Sequence, residues 1–341
     1  MLKFEVIPKR LIFKQPAGTS RGVYNTRDIW LLKAYDSCLP QIVGWGECAP
    51  LPNLSCDDIA GYESVLMEFC HRISVEEKIP YADLENYPSM LFGIEMALRH
   101  LQKKGDYALW DTTFSRGERG IQINGLIWMG EYSKMLEQIE TKMEQGFRCI
   151  KLKIGAIDFN DELRLLKLIR SRFSSNEAEL RVDANGAFNS SDALEKLKRL
   201  SDLELHSIEQ PIKAGQYEAM AQLTQTSPLP IALDEELIGK NSITDKITLL
   251  DCVKPQYIVL KPSLHGGYKG CEEWISLANK RKIGWWVTSA LESNIGLNAI
   301  AQWCATLNNP LPQGLGTGAL YINNIDMPLS VIGDCLWYGN S

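Results

Sequence analysis

The sequence predicts an α/β protein: a barrel of the (β/α)8 kind following a smaller α+β unit. Three observations predict it. The chain has 341 residues, enough for one large barrel or two ordinary domains. From Ile121 onward, short apolar runs alternate with amphipathic stretches about seven or eight times, as a parallel sheet with crossover helices requires. Successive apolar runs also end in a charged residue that a core would not choose: Lys153, Asp183, Glu209, Asp234 and Lys261.

The first ~115 residues read differently. Phe4–Val6, Ile29–Leu32 and Ile42–Trp45 are strand-like, with turn signals at Gly18, Gly22 and Asp36-Ser37. Helical segments follow near 57–73 and 88–104. Strands first and helices afterwards describe a self-contained α+β unit. The alternation then begins with strand Ile121–Ile127. Tyr132, Met135, Leu136, Ile139 and Met143 form one face of a helix stopped by Gly146. Strand Cys149–Ile154, a helix through Leu163–Phe173, strand Leu180–Asp183 and a helix through Ala193–Leu200 come next. Strand Leu205–Ile208, a helix around Tyr217–Leu223, strand Ile231–Leu233, a short helix near 242–250 and strand Tyr257–Leu260 continue the series. It ends with helix Cys271–Lys280, strand Gly284–Thr288, helix Ile295–Ala305 and a glycine-rich stretch near 313–318, expected to be a close-packed turn.

Composition removes several classes of function. With 36 basic and 42 acidic residues the net charge is −6, which offers no footprint for nucleic acid. No run approaches the ~18–20 apolar residues of a membrane span, and Glu5 falls where a signal peptide would be apolar. Nine scattered cysteines with no C-x-x-C pair predict reduced thiols and a cytoplasmic protein, not a disulfide scaffold or zinc site. The four histidines form no H-x-x-x-H pair, so any metal must be held by oxygen. No G-x-G-x-x-G opens a helix after an early strand, and Gly314–Gly318 lacks the Lys-Ser/Thr of a P-loop.

The charged strand ends recur about every 25–30 residues, one β/α unit each, so a barrel would gather them at its C-terminal mouth. In Cys149–Ile154 the lysines 151 and 153 share one face and Ile150, Leu152 and Ile154 the other. Three carboxylates in one mouth repel unless a cation is present. Asp183, Glu209 and Asp234 are hard oxygen ligands, and so few of them, completed by water and substrate, suit Mg²⁺, with Mn²⁺ as a substitute. Lys153, beside Lys151 and a divalent cation, is then a candidate general base. Lys261 arrives from another part of the ring, so basic groups would flank a bound substrate. Metal plus lysine suits proton abstraction α to a carboxylate. Asn185 and Glu235 are expected to support the ligands.

These residues carry a resemblance. Lys151-x-Lys153, Asp183-Ala184-Asn185-Gly186, Ser207-Ile208-Glu209-Gln210-Pro211, Asp234-Glu235 and Lys261-Pro262 resemble the enolase superfamily, muconate-lactonizing-enzyme subgroup. Gly44-Trp45-Gly46-Glu47-Cys48-Ala49-Pro50 resembles the capping-domain motif of that group. The resemblance implies a modified (β/α)8 TIM-type barrel over residues 116–319, with an N-terminal α+β capping domain over 1–115 completed by about 320–341. It also implies one Mg²⁺ on Asp183, Glu209 and Asp234.

The segments Ser289–Gly296, Gly314–Gly318 and Tyr321–Asn324 resemble the o-succinylbenzoate synthase family. That family dehydrates 2-succinyl-6-hydroxy-2,4-cyclohexadiene-1-carboxylate in menaquinone biosynthesis. The Asp-x-Asp that dipeptide epimerases carry after the eighth strand is missing. The resemblance implies Lys153 as the base that removes the α-proton and then protonates the departing hydroxyl on the same face. It implies Lys261 as stabiliser of the enediolate and Lys151 as orienter of the carboxylate. Ser289, Gly316 and Thr317 become candidate contacts for the succinyl carboxylate, and Arg21, on the 17–22 loop, a further one. N-acylamino acid racemisation or dipeptide epimerisation stays open as the alternative, as does a barrel that only binds a small carboxylate. The oligomeric state is left open.

Overall fold

The computed structural model describes residues 1–19 and 22–339. It opens with three antiparallel strands, β1 (Leu2–Thr19), β2 (Gly22–Asp36) and β3 (Leu39–Cys48), followed by α1 (Tyr62–Glu76) and α2 (Pro88–Gln102). The hairpin is far longer than the short strands expected from sequence. Pro8, Pro16 and a register shift between Ile12 and Ala17 interrupt its alternation, so only the apolar patches announce it. Leu32, Ala34, Cys48, Leu66, Cys70, Leu91 and Ile94 fill the space between sheet and helices. A Cβ at Gly44 would run into the Ala97 carbonyl and one at Gly46 into the Gly93 carbonyl, so the strand can lie on α2 only with glycines there.

The alternating part comprises β4 (Ile121–Gln122), β5 (Gly125–Ile127), α3 (Tyr132–Glu144), β6 (Cys149–Lys153), α4 (Phe159–Arg172), β7 (Glu179–Asp183), α5 (Ala193–Ser201), β8 (Ser207–Glu209), α6 (Tyr217–Thr226), β9 (Ile231–Leu233), α7 (Ile243–Val253), β10 (Tyr257–Leu260), α8 (Gly267–Lys280), β11 (Gly284–Val287) and α9 (Asn294–Thr306). Strands β5 to β11 form one parallel sheet in chain order, seven strands wide. The glycine-rich stretch, expected to be a turn, completes the ring instead. Gly314 bridges Thr288 just past β11, and Gln313 bridges Ile123 between β4 and β5. The side chain of Gln313 reinforces the seam, its Oε1 accepting from Val287 N at 2.7 Å. A Cβ at Gly314 would collide with Thr288 Oγ1, which is why glycine stands there.

The chain then returns to its beginning. Ile322 N donates to Ile12 O and Lys14 N to Leu320 O. A last hairpin, β12 (Leu329–Ile332) and β13 (Cys335–Tyr338), pairs with β4. One core runs through the barrel and takes in Leu11, Phe13, Leu31, Ala49 and Phe92 of the N-terminal unit. Glu95 on α2 adds a polar tie, accepting from Tyr268 N (2.6 Å) and Lys269 N (3.4 Å) in the first turn of α8. Among the described residues no helix is long and apolar enough to cross a membrane.

Candidate active site

Lys153 ends β6, Asp183 ends β7 and Glu209 ends β8. In the parallel register Lys153 lies level with Asp183, and Asp183 with Glu209. Asp234 and Lys261 each stand one residue beyond β9 and β10. Five side chains spaced along the sequence therefore meet at one mouth. Ile150, Leu152 and Ile154 are buried in the main core, so alternation along β6 turns Lys151 and Lys153 the other way.

The charged groups touch. Lys151 Nζ lies 2.9 Å from Asp183 Oδ2 and 2.6 Å from Glu209 Oε2, and Lys153 Nζ 3.5 Å from Asp183 Oδ2. Lys261 is ion-paired with Asp234. Lys153 also donates to Asn185 Oδ1 at 2.8 Å, and Asn185 Nδ2 donates to Glu235 Oε1 at 2.9 Å. Asp183, Glu209 and Asp234 are each no more than 2 % exposed.

Burial disfavours the charged form of these groups, and for some of them charged neighbours reverse it. Against burial, Lys151 and Lys153 hold the Asp183 carboxyl well below its ordinary range. Lys261 does the same for Asp234. Glu209 goes the other way: burial, then the charge of Asp183, pushes it up. Burial and Asp234 raise Glu235 to about 7. Lys151 and Lys261 are raised because facing carboxylates outweigh desolvation. Asp183 and Asp234 thus stay ionised, while burial and the crowding of four acids hold Glu209 and Glu235 toward their neutral forms.

That crowding bears on a metal. Among the described residues no three acidic, histidine or cysteine side chains converge closely enough, as they stand, to enclose an ion. The reason is visible: the Lys151 ammonium bridges Asp183 and Glu209, and Lys261 covers one oxygen of Asp234. Yet Glu209 Oε1, Asp234 Oδ1 and Glu235 Oε2 are buried with no hydrogen-bond partner among the described residues. Unpartnered hard oxygens on carboxyls crowded together, where a cation would favour the ionised forms, fit a divalent cation.

Ser289 and Thr317 come together, their hydroxyls 2.6 Å apart and both buried. Gly316, next to Thr317 in sequence, is exposed. Arg21 lies outside the described residues. A cavity of about 470 Å³ adjoins the lysine–carboxylate cluster, with Asn185, Gly186, Lys213, Glu235 and Met129 in its wall. A second, of about 340 Å³, lies under the C-terminal hairpin around Ser115 and Trp337, away from these residues.

Sequence reasoning missed two supports. Gln210, fully buried, accepts from Asp234 N and Glu236 N (3.2 Å each), locking the end of β8 to that of β9. His265 Nδ1 accepts from Lys261 N at 2.9 Å and fixes that lysine's backbone. Gln210 follows the candidate ligand Glu209 directly and His265 stands four residues after Lys261, the signal that could have flagged them. Asn185 (φ 43°) and Gln210 (φ 40°) are both left-handed. Such backbone strain, of order 1–3 kcal/mol per residue, gathers where a site over-determines its geometry.

Fold and cluster together define the class. The Enolase C-terminal domain-like family matches residues 134–329, and the chain belongs to the enolase superfamily. Within it, the o-succinylbenzoate synthase of Desulfotalea psychrophila is 46% identical to this chain, the match covering 96% of each. The crystal structure of MenC from the same organism superposes with a TM-score of 0.83 at 40% identity, over 98% of this chain and 99% of that one. A dipeptide epimerase from Enterococcus faecalis, complexed with Mg and L-Leu-L-Tyr, superposes with a TM-score of 0.84 over 99% and 97% of the two chains. At 20% identity it shares the fold alone. Enzymes of this superfamily use a divalent metal.

Proposed function

We propose that the chain is a Mg²⁺-dependent o-succinylbenzoate synthase, removing water from 2-succinyl-6-hydroxy-2,4-cyclohexadiene-1-carboxylate in menaquinone biosynthesis. One observation carries this reading: three lysines and three carboxylates meeting where successive strands end, in a chain 46% identical to a synthase of that name. The catalytic unit is taken as residues 116–319 and the cap as 1–115 with about 320–341.

Asp183, Glu209 and Asp234 would hold the metal, with Mn²⁺ able to replace Mg²⁺ on the same oxygens. The metal supplies Lewis-acid stabilisation of the negative charge that develops on the substrate carboxylate. Lys153, tethered to Asn185, removes the proton from the ring carbon next to that carboxylate. The electron pair moves into the ring, the C–O bond of the neighbouring carbon breaks, and the same lysine delivers the proton to the departing hydroxyl. Water leaves and the ring becomes aromatic. Lys261 faces the developing charge as a fixed cation, and Lys151 orients the carboxylate. Ser289, Gly316 and Thr317, with Arg21, are assigned to the succinyl carboxylate, because hydroxyls and backbone N–H groups suit an anion.

Purified protein should convert the cyclohexadiene to the aromatic product, lose activity in chelator and regain it with Mg²⁺. Absence of turnover, with deuterium exchange at Cα of N-acylamino acids or dipeptides instead, would move the assignment to racemase or epimerase.

A further inference from the structure

The segment Ser289–Ser293, which follows β11 at the mouth, is held at three of its residues by side chains from elsewhere in the chain. Thr288 N donates to Leu260 O at 2.9 Å, so the segment starts beside the strand end that carries Lys261. Ala290 N donates to Glu292 Oε2 at 2.7 Å, and Ala290 O accepts from Arg27 Nη1. Leu291 O accepts from Tyr321 OH at 2.6 Å. Ser293 N donates to Glu47 Oε1 at 2.8 Å, and Gly296 N to Glu47 Oε2 at 2.9 Å, so Glu47 also caps the N-terminus of α9. The second guanidinium nitrogen of Arg27 is bound to Ala49 O. Arg27 lies on β2 and Glu47 on β3. Both are buried, so these contacts are shielded from competing water.

The segment is also strained. Leu291 has φ 65°, a left-handed conformation that costs a branched, non-glycine residue free energy. A loop holding such a residue with so many of its backbone groups fixed from outside has one conformation imposed on it. Its first residue, Ser289, reaches Thr317 on the opposite side of the seam.

We propose that Arg27 and Glu47, both from the N-terminal unit, are positioning residues that hold Ser289–Ser293 as a rigid clamp for the substrate's distal carboxylate. The inference rests on the assignment of Ser289 to that carboxylate under Proposed function. Arg27 fixes the Ala290 carbonyl and Glu47 fixes the far end of the segment, so these two residues of the cap shape the barrel's substrate contacts without touching the substrate themselves.

The test uses the full chain with Arg27→Met and Glu47→Gln. Hydrogen–deuterium exchange across 289–296 should be slow in the wild type and at least about tenfold faster in each variant. In assays with the cyclohexadiene, KM should rise about tenfold for Arg27→Met and less for Glu47→Gln, which keeps one acceptor oxygen. In both, kcat should stay within about threefold, because the lysines and carboxylates are untouched. Unchanged exchange in the segment, or unchanged KM with kcat falling as the folded fraction falls, would overturn the proposal. Should Arg27→Met fail to fold, Glu47→Gln decides alone. A wild type that does not turn over the cyclohexadiene sinks the assigned reaction, while the exchange comparison still decides whether Arg27 and Glu47 impose the loop.

Discussion

Lys153 donates a 2.8 Å hydrogen bond to Asn185, which in turn donates to Glu235 at 2.9 Å. The amine at the end of β6 is thus aimed by a side chain at the end of β7, itself anchored beyond β9. Asn185→Ala should leave the fold intact and lower kcat by about 10–100-fold, the usual cost of losing a residue that orients a working group. Steady-state kinetics on variant protein with wild-type circular dichroism checks it.

Lys153→Ala should be far more damaging, lowering kcat by about 10²–10⁴-fold, the range a positioned acid–base group contributes. Single-turnover measurements in D₂O read the proton transfer directly. Undiminished solvent exchange at the α-carbon would assign the base elsewhere.

Adding Mg²⁺ to metal-free protein should raise its thermal midpoint. At about 100 times Kd the stabilisation is about 2.7 kcal/mol. Asp183→Asn or Asp234→Asn should shrink the shift and abolish turnover. An undiminished shift in both would place the ion elsewhere.

Burial pushes the Glu95 carboxyl up to about 8 from an ordinary value of 4.5, although the α8 amides pull it down. Below about 4.5 the folded and unfolded chains both hold that proton, so it contributes no pH dependence. Between about 4.5 and 8 the unfolded chain has released it while the folded chain retains it, so stability falls as pH rises, then levels off. Urea midpoints from pH 5 to 9 should show this slope, and Glu95→Gln should flatten it.

Gly314→Ala should destabilise the protein by about 1–3 kcal/mol, the cost of forcing a methyl group into a filled space. Here the added carbon meets Thr288 Oγ1 at the ring's seam. Denaturant titration measures it, and Thr288→Ser should recover little, because the colliding oxygen stays.

The strand ends were legible because a charged residue after an apolar pair is conspicuous, and because five of them repeat with the period of one β/α unit. The proposed metal ligands Asp183, Glu209 and Asp234 drew notice for the same reason, as hard oxygens at matching positions. The hairpin β1–β2 was not legible in full, since prolines and a register shift break the alternation that announces a strand. Nor was the closing bridge at Gln313 and Gly314, whose two residues carry no strand periodicity and join the ring through partners remote in sequence. Gln210, His265 and Arg27 stayed hidden for a related reason. Their roles lie in which backbone groups they reach, and only the fold decides that.

The seam has a consequence for how the molecule is made. Ile123, just before the first barrel strand β5, can meet its partner only once Gln313 exists, so the ring stays open through nearly the whole of synthesis. Closing so long a loop is entropically costly, and contacts of such sequence separation form late. The N-terminal sheet and its helices can assemble early, but β1 still waits for Leu320 and Ile322 to run alongside it. A ribosome stalled just short of the seam would therefore carry a cap lacking its last strand partners and an unclosed sheet, with apolar edges open to a chaperone or to a neighbouring chain.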